Sequence, residues 1–306
     1  MTASKLVSMR EAIARFVTDG VSVCLGTALE AAIPFAAGHE IVRQGKRDLT
    51  LIGPISDMLF DQLIGAGSVR RVVAAWVGNV SAGLGHSYRR ATERGQPSPV
   101  AVADHSNLTL SLALLAGSLG VPYIPTHSLL GSDIPAAHDG FERGADPWSG
   151  APLLLVSAIR PDVTIVHVQR ADAEGHCHAW GPLGVTREAA LAAKQVIVVA
   201  EEIWPAARIL ADPNLVLVPA FKVAAVVHEP WGALPSPLQG CYARDHDLFT
   251  SYHDESRTQD GFRAWLDRWV LGVGDWPGFL KLLGPDRLDR LRARRHLPSE
   301  PLDYGA

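Results

Sequence analysis

The sequence predicts an α/β protein: a mostly parallel sheet flanked by helices, with a helical C-terminal region. Three observations predict it. Short apolar runs that read as strands alternate with amphipathic stretches that read as helices. The connections between them are short and rich in Gly and Pro, which suits a parallel sheet covered by helices on both sides. Hydrophobic residues make up 47% of the 306-residue chain and charged residues 20%, enough apolar material for a sizeable core.

In chain order, residues 9–17 read as an amphipathic helix, Asp19-Gly20 as a turn and residues 21–25 as a strand. Pro34 opens the next helix, where a proline is tolerated, and Gly45 closes it as a C-terminal cap. Residues 49–52 are the next strand and 56–64 the next helix, stopped by Gly65 and Gly67. Residues 69–77 are a strand and 84–94 a helix. An apolar helix covers 108–119, with Leu108, Leu112 and Leu115 on one face, and breaks at Gly120 and Pro122. Residues 131–133 form a turn. Residues 139–152, rich in Gly, Pro and Asp, read as a loop. Strands follow at 153–157 and 163–168, then a tight turn at 171–175 in which Gly175 is free to take φ > 0. Residues 186–194 are a helix and 196–200 a strand. From Asp245 onward the chain is mostly helical, ending in an arginine-rich helix over 285–296 and a loose tail.

The net charge of −4 argues against a nucleic-acid binder, which needs a basic face. No apolar run reaches the ~18 residues of a membrane helix, and the N-terminus lacks the apolar core of a signal peptide. Cys24, Cys177 and Cys241 form no C-x-x-C pair, so sparse a set suits a reducing compartment, and the cytoplasm is the expected location.

The polar stretch Asp104-His105-Ser106-Asn107 stands at the mouth of the apolar helix. A helix N-terminus carries unpaired N–H groups and partial positive charge, so polar side chains there can build a site. Plain capping by Asp104 or Ser106 accounts for the same residues. There is no G-x-S-x-G elbow, no phosphate-binding loop and no complete G-x-G-x-x-G. His176 and His178 share one face of a strand, but zinc needs further ligands that the sequence does not supply, and no metal is expected. Glu201-Glu202 lies at a strand's C-terminal end, where α/β folds place their sites. It reads either as a mutually perturbed carboxylate pair or as the solvated start of a helix. The polar strand-end loops are Gly26-Thr27, Gly53-Pro54, Val77-Gly78-Asn79, Asp104 to Asn107 and Gly131 to Asp133. These residues alone name no reaction.

Several segments together resemble the family I coenzyme A transferases. Residues 19–26 (DGVSVCLG) with Pro34 resemble the family's first signature, an Asp-Gly turn before a strand, a Gly-Gly-Phe and a proline. Residues 34–53 (PFAAGHEIVRQGKRDLTLIG) resemble the stretch that follows in A subunits of the glutaconate-type enzymes. DQLIGAGSVRRVV, WVGN, HSN, AGSLGVPYIPT, LLGSD, RPDVTIVHVQRADAEGH, WGPLG and AEEIW continue the match, which runs from Asp19 to Leu271.

The resemblance implies an A-subunit domain over residues 1–284, with a C-terminal helix and tail over 285–306. It implies a B subunit of similar fold, an active site between the two, and an acyl-CoA thioester and a small carboxylic acid as substrates, with no resident cofactor. The nucleophilic glutamate of such enzymes belongs to the B subunit, where it forms an enzyme-bound CoA thioester. This chain has no glutamate in the B-type setting, so the resemblance implies that it is inactive alone. From the A subunit it implies donors and walls for the acyl part. Asn107 falls near a glutamine of the succinyl-type transferases and, with Ser106, is the implied polar contact. Gly78-Asn79 answers to their Val-Gly-Glu-Asn loop, Gly131 and Ser132 to a carboxylate-binding turn, and Gly26 and Thr27 to the CoA loop.

Two departures matter. The signature Gly-Gly-Phe is Gly26-Thr27-Ala28, and the Cβ of Thr27 makes a φ > 0 conformation costly, so that loop is expected to be rebuilt. The branch similar to the steroid ring-cleaving CoA hydrolases has Glu-His-Ser where this chain has Asp104-His105-Ser106. Asp104 and His105 are therefore the candidate catalytic residues of a hydrolytic C–C cleavage, the alternative to CoA transfer. A ligand-binding remnant without catalysis is the third reading.

Overall fold

The computed structural model describes residues 4–293. The first half of the chain forms strands β1 (Ser22–Cys24), β2 (Leu49–Ile52), β3 (Val69–Ala74), β4 (Gly78–Asn79), β5 (Gly83–Leu84), β6 (Ala101–Asp104) and β7 (Tyr123–Thr126). The second half adds β8 (Phe141–Ala145), β9 (Pro152–Ser157), β10 (Val163–Ala171), β11 (Cys177–His178), β12 (Gln195–Ile203) and β13 (Val223–His228). The helices are α1 (Met9–Phe16), α2 (Phe35–Arg43), α3 (Asp57–Gly65), α4 (His86–Arg94), α5 (Asn107–Leu119) and α6 (Thr186–Ala192), then α7 (Ala206–Leu210), α8 (His246–Glu255), α9 (Gln259–Leu266), α10 (Trp276–Leu283) and α11 (Pro285–Leu291).

The main sheet runs β13-β12-β10-β1-β2-β3-β6, every neighbouring pair parallel, with β11 turned back antiparallel on β10. The chain builds outward from β1 on one side, then returns to build outward from β10 on the other. β1 and β10 therefore meet at the point where strand order reverses, and the loops after them diverge to leave a crevice. Both sheet faces are covered. The larger core joins the strands to α1, α2, α3 and the C-terminal helices, with Trp265, Trp276, Phe262 and Phe279 fully enclosed. The opposite face packs Cys24, Ile52, Val73 and Ala103 under Leu110 and Leu114 of α5 and Ala189 of α6. Burial on both sides is why β10 and β12 read as unbroken apolar runs rather than alternating ones. No described helix is long and apolar enough to cross a membrane.

Four details differ from the expectations. Residues 139–152 are not all loop: β8 pairs with β9, and β9 with β7, in a separate three-stranded antiparallel sheet. The Pro, Gly and Asp content belongs to the hairpin tip, where Asp146 accepts from the Trp148 N–H and Gly150 takes φ +73°. The third strand stops at Ala74, and α4 starts at His86, because Gly78-Asn79 and Gly83-Leu84 pair with each other. On α5 the buried face is Thr109, Leu110, Ala113, Leu114 and Gly117, whereas Leu108 is 51% exposed. Finally, Glu201-Glu202 is neither a helix start nor a carboxylate pair, since β12 runs on to Ile203 and strand alternation sends the two side chains to opposite faces. Of the arginine-rich stretch, α11 packs Leu288 and Leu291 against the main core, and the tail lies outside the described residues.

Candidate functional site

The site is built where the loops after β1 and β2 meet the start of α5, which follows β6, and the loop before α6. Gly26 takes φ +67°, and a Cβ there would lie 2.4 Å from Ser56 Oγ and 2.9 Å from Ser56 Cα. Only glycine lets the loop after β1 press on the loop after β2, and Ser56 Oγ fastens them by donating to Leu25 O at 2.8 Å. Thr27 is buried, with its hydroxyl 2.9 Å from that of Thr186, while Val185 N donates to Thr27 O at 3.0 Å. Gly184 (φ +50°) comes so close that a Cβ would sit 2.4 Å from Thr27 O. Besides Gly26, the left-handed residues of the β1 loop are Leu29 (φ 64°) and Ala32 (φ 53°), and Thr27 is not among them. Thr27 is thus spared the cost that a φ > 0 conformation would carry.

These loops enclose an open cleft of about 220 Å³ lined by Thr27, Leu29, Pro54, Asn107, Leu108 and Val185, with Gly184 and Ser111 at its edge. Its walls are apolar. Asn107 stands at the first position of α5, exposed, and among the described residues its side-chain amide makes no hydrogen bond. Ser106 is committed to capping: its hydroxyl accepts from Thr109 N at 3.1 Å while its own N–H donates to Thr109 Oγ1 at 3.0 Å.

Asp104 and His105 part company. Asp104 ends β6 with an exposed side chain on the α4 side, where burial first and Asp104 second push the Tyr88 hydroxyl up. Its carbonyl accepts from His138 Nε2 at 2.7 Å. His105 is buried on the other sheet face, its ring centroid 5.0 Å from Phe141 and 5.1 Å from His138. Burial, then His138 and Arg71, lower its pKa to about 4, so it is neutral at pH 7. It borders a second cleft of about 290 Å³ with Arg71, His138 and Asp139.

The other expected contacts lie apart from the Thr27–Asn107 cleft. Asn79 is buried, donating to Phe249 O at 2.6 Å and accepting from Ser81 N at 3.1 Å. Gly78 packs so closely on the Trp76 ring that a Cβ would sit 2.6 Å from it. Gly131 is exposed, and Ser132 Oγ accepts from Ile134 N at 3.2 Å to start a short 3₁₀ turn. Residues that sequence reasoning missed are Leu29 and the Gly184-Val185 wall, of which Gly184 ends the WGPLG segment, whereas Pro54 belongs to a strand-end loop already singled out. A second omission is a buried network. Glu201 Oε1 accepts from His167 Nε2 (2.6 Å) and Tyr242 OH (2.8 Å), and Oε2 from Trp231 N (2.8 Å). Glu202, on the other face, accepts from Trp204 Nε1 at 2.6 Å. Among the described residues no three or more His, Cys, Asp or Glu are grouped to hold a metal ion.

Residues 6–229 match the family model described as coenzyme A transferase. The A subunit of 3-oxoadipate CoA-transferase from Pseudomonas knackmussii is 39% identical over 276 residues, covering 90% of this chain and 97% of that one. The A subunit of glutaconate CoA-transferase from Acidaminococcus fermentans is 31% identical, covering 94% and 95%. The crystal structure of glutaconate coenzyme A-transferase from the same organism superposes with a TM-score of 0.88 at 31% identity, covering 95% and 96%. A variant of the decarboxylase AibA/AibB superposes with a TM-score of 0.75 at 27% identity, covering 88% and 100%.

Proposed function

The chain belongs to the coenzyme A transferase family, and from that premise we propose that it is the A subunit of a two-component enzyme that moves CoA from an acyl-CoA thioester to a small carboxylic acid. One observation carries the reading: the loops after β1, β2 and β6 converge at the sheet's reversal point on an apolar cleft with one uncommitted amide, Asn107. Leu29, Leu108 and Val185 give the acyl chain an apolar wall. Asn107 Nδ2 donates to the thioester oxygen as it becomes an oxyanion, a role worth about 3–4 kcal/mol where such donors have been removed. The nucleophile is a glutamate of the B subunit, which carries CoA as an enzyme-bound thioester until a second carboxylate takes it. Coenzyme A is substrate here, with no resident cofactor, and the expected location is the cytoplasm.

Co-expression with a B-type partner chain tests the proposal. The expected result is a co-purifying complex that transfers CoA to a carboxylate acceptor, with neither chain active alone. Absence of a complex, or turnover by this chain unaided, contradicts it.

A second reading, hydrolytic C–C cleavage of an acyl-CoA by a carboxylate of this chain, is favoured by Asp104, exposed at the end of β6 three residues before Asn107. Its signature is acceptor-independent consumption of substrate that disappears in Asp104→Asn.

A further inference from the structure

We propose that the cleft between α4 and the α8–α9 junction binds a phosphate-bearing anion at a site separate from the strand-end cleft. It holds about 360 Å³ and is lined by Arg89, Arg90, Arg94 and Arg257 against one carboxylate, Glu93. That is a concentrated positive surface on a chain whose net charge is −4. It shares no lining residue with the Thr27–Asn107 cleft. Converging guanidinium groups in a concave surface focus positive potential, and their planar N–H forks match phosphate oxygens.

The floor of the cleft is prebuilt. Arg90 is 8% exposed, and its guanidinium donates to Ser256 O (2.8 Å), Arg257 O (3.2 Å), Gln259 Oε1 (3.2 Å) and Ser87 Oγ (3.0 Å). Those bonds fix its orientation before any ligand arrives and leave one of its five N–H donors free. The rim is adaptable. Arg94 has no ion-pair partner among the described residues, while Arg89 and Arg257 sit in exposed pairs with Glu93 and Asp254, which exchange readily for a stronger anion. Thr258 caps α9 and opens its positive end toward the same space.

An imidazole pair closes one end. His86 Nε2 and His253 Nε2 lie 3.3 Å apart, so one ring donates and the other accepts, and at least one is neutral. Burial, then His253, Arg90, Arg257 and Arg89, hold His86 below the ordinary imidazole pKa. A bound polyanion opposes that positive field, so occupancy favours protonation of His86. A merely solvated arginine face favours the more ionised form of the anion and so releases protons, whereas net uptake requires the imidazole pair.

Calorimetric titration of the full chain with pyrophosphate, in two buffers of different ionisation heat, tests the site without relying on the transferase reading. The expected result is one saturable site with net proton uptake at pH 7. Binding should weaken about tenfold in Arg94→Gln and about a hundredfold in Arg89→Gln/Arg94→Gln, while Arg160→Gln, at an exposed arginine elsewhere, binds like the unaltered chain. The replaced rim residues are exposed, so folding is retained, which circular dichroism verifies. Displacement of pyrophosphate by coenzyme A but not by 3′-dephospho-coenzyme A assigns the phosphate to the substrate. Displacement by neither leaves a free phosphorylated anion as the ligand, and both outcomes support the site. No saturable binding, or equal binding by the double variant, overturns it.

Discussion

Thr27 and Thr186 meet hydroxyl to hydroxyl at 2.9 Å, both buried, across 159 positions of sequence. Together with the Val185 N–H donated to Thr27 O, this contact ties the loop after β1 to the start of α6 and holds one wall of the cleft. Thr27→Val keeps the shape and removes the hydroxyl, leaving that of Thr186 buried and unpaired. The expected loss is about 1–3 kcal/mol in urea unfolding, with a raised KM for acyl-CoA in the assembled enzyme. An unchanged KM would show that this tie does not position the wall.

Gly26 faces Ser56 with no room between them. Gly26→Ala places a Cβ 2.4 Å from Ser56 Oγ in a left-handed backbone, and is expected to cost about 2–3 kcal/mol. Adding Ser56→Ala should not restore stability, because the Cβ and Cα of residue 56 remain at 2.7 and 2.9 Å. Full rescue in the double variant contradicts the close-approach account.

Asn107 is exposed and holds no hydrogen bond that the fold needs, so Asn107→Ala should leave stability within about 0.5 kcal/mol. Loss of an oxyanion donor should lower kcat about 100-fold or more in the assembled enzyme. A change confined to KM would assign Asn107 to ground-state binding instead.

Acid sensitivity follows from buried imidazoles. Burial lowers the pKa of His39 to about 3 and that of His105 to about 4, from an ordinary 6.5, so the unfolded chain binds more protons below that value. Their contribution is present above pH 6.5 and is lost as the pH falls toward 4. Glu229, pushed up by burial to about 7 from 4.5, has the opposite sign and weakens the fold as pH rises across that range. Between pH 4.5 and 6.5 the two imidazoles weaken the fold on acidification, while Glu229, with Asp57 and Asp61 also raised by burial, acts against them. Urea midpoints across this range should separate the unaltered chain from Glu229→Gln, the variant losing more stability on acidification. A pH dependence left unchanged by Glu229→Gln contradicts the assignment.

The sheet was legible because its strands are short, apolar and β-branched. LTLI at 49–52 is β2 residue for residue, and the polar loops at strand ends follow once those strands are parallel. The β8 strand, FERGA, carries little β-branched character and takes its structure from pairing with β9, a long-range fact that local pattern does not encode. Asp104 and His105 read as one polar stretch, but the end of β6 sends them to different faces. The Gly184-Val185 wall belongs to the cleft only through contacts with Thr27, more than 150 residues away in sequence. Leu29 and Ala32 adopt left-handed backbone that no residue preference announces.

The most direct test of the transferase account is the intact mass of both chains once the assembled enzyme has met an acyl-CoA with no acceptor present. The account predicts a CoA adduct on a glutamate of the B subunit, none on this chain, and loss of the adduct when a carboxylic acid is added. Consumption of the thioester without an adduct or an acceptor would contradict it and make Asp104 of this chain the residue to pursue.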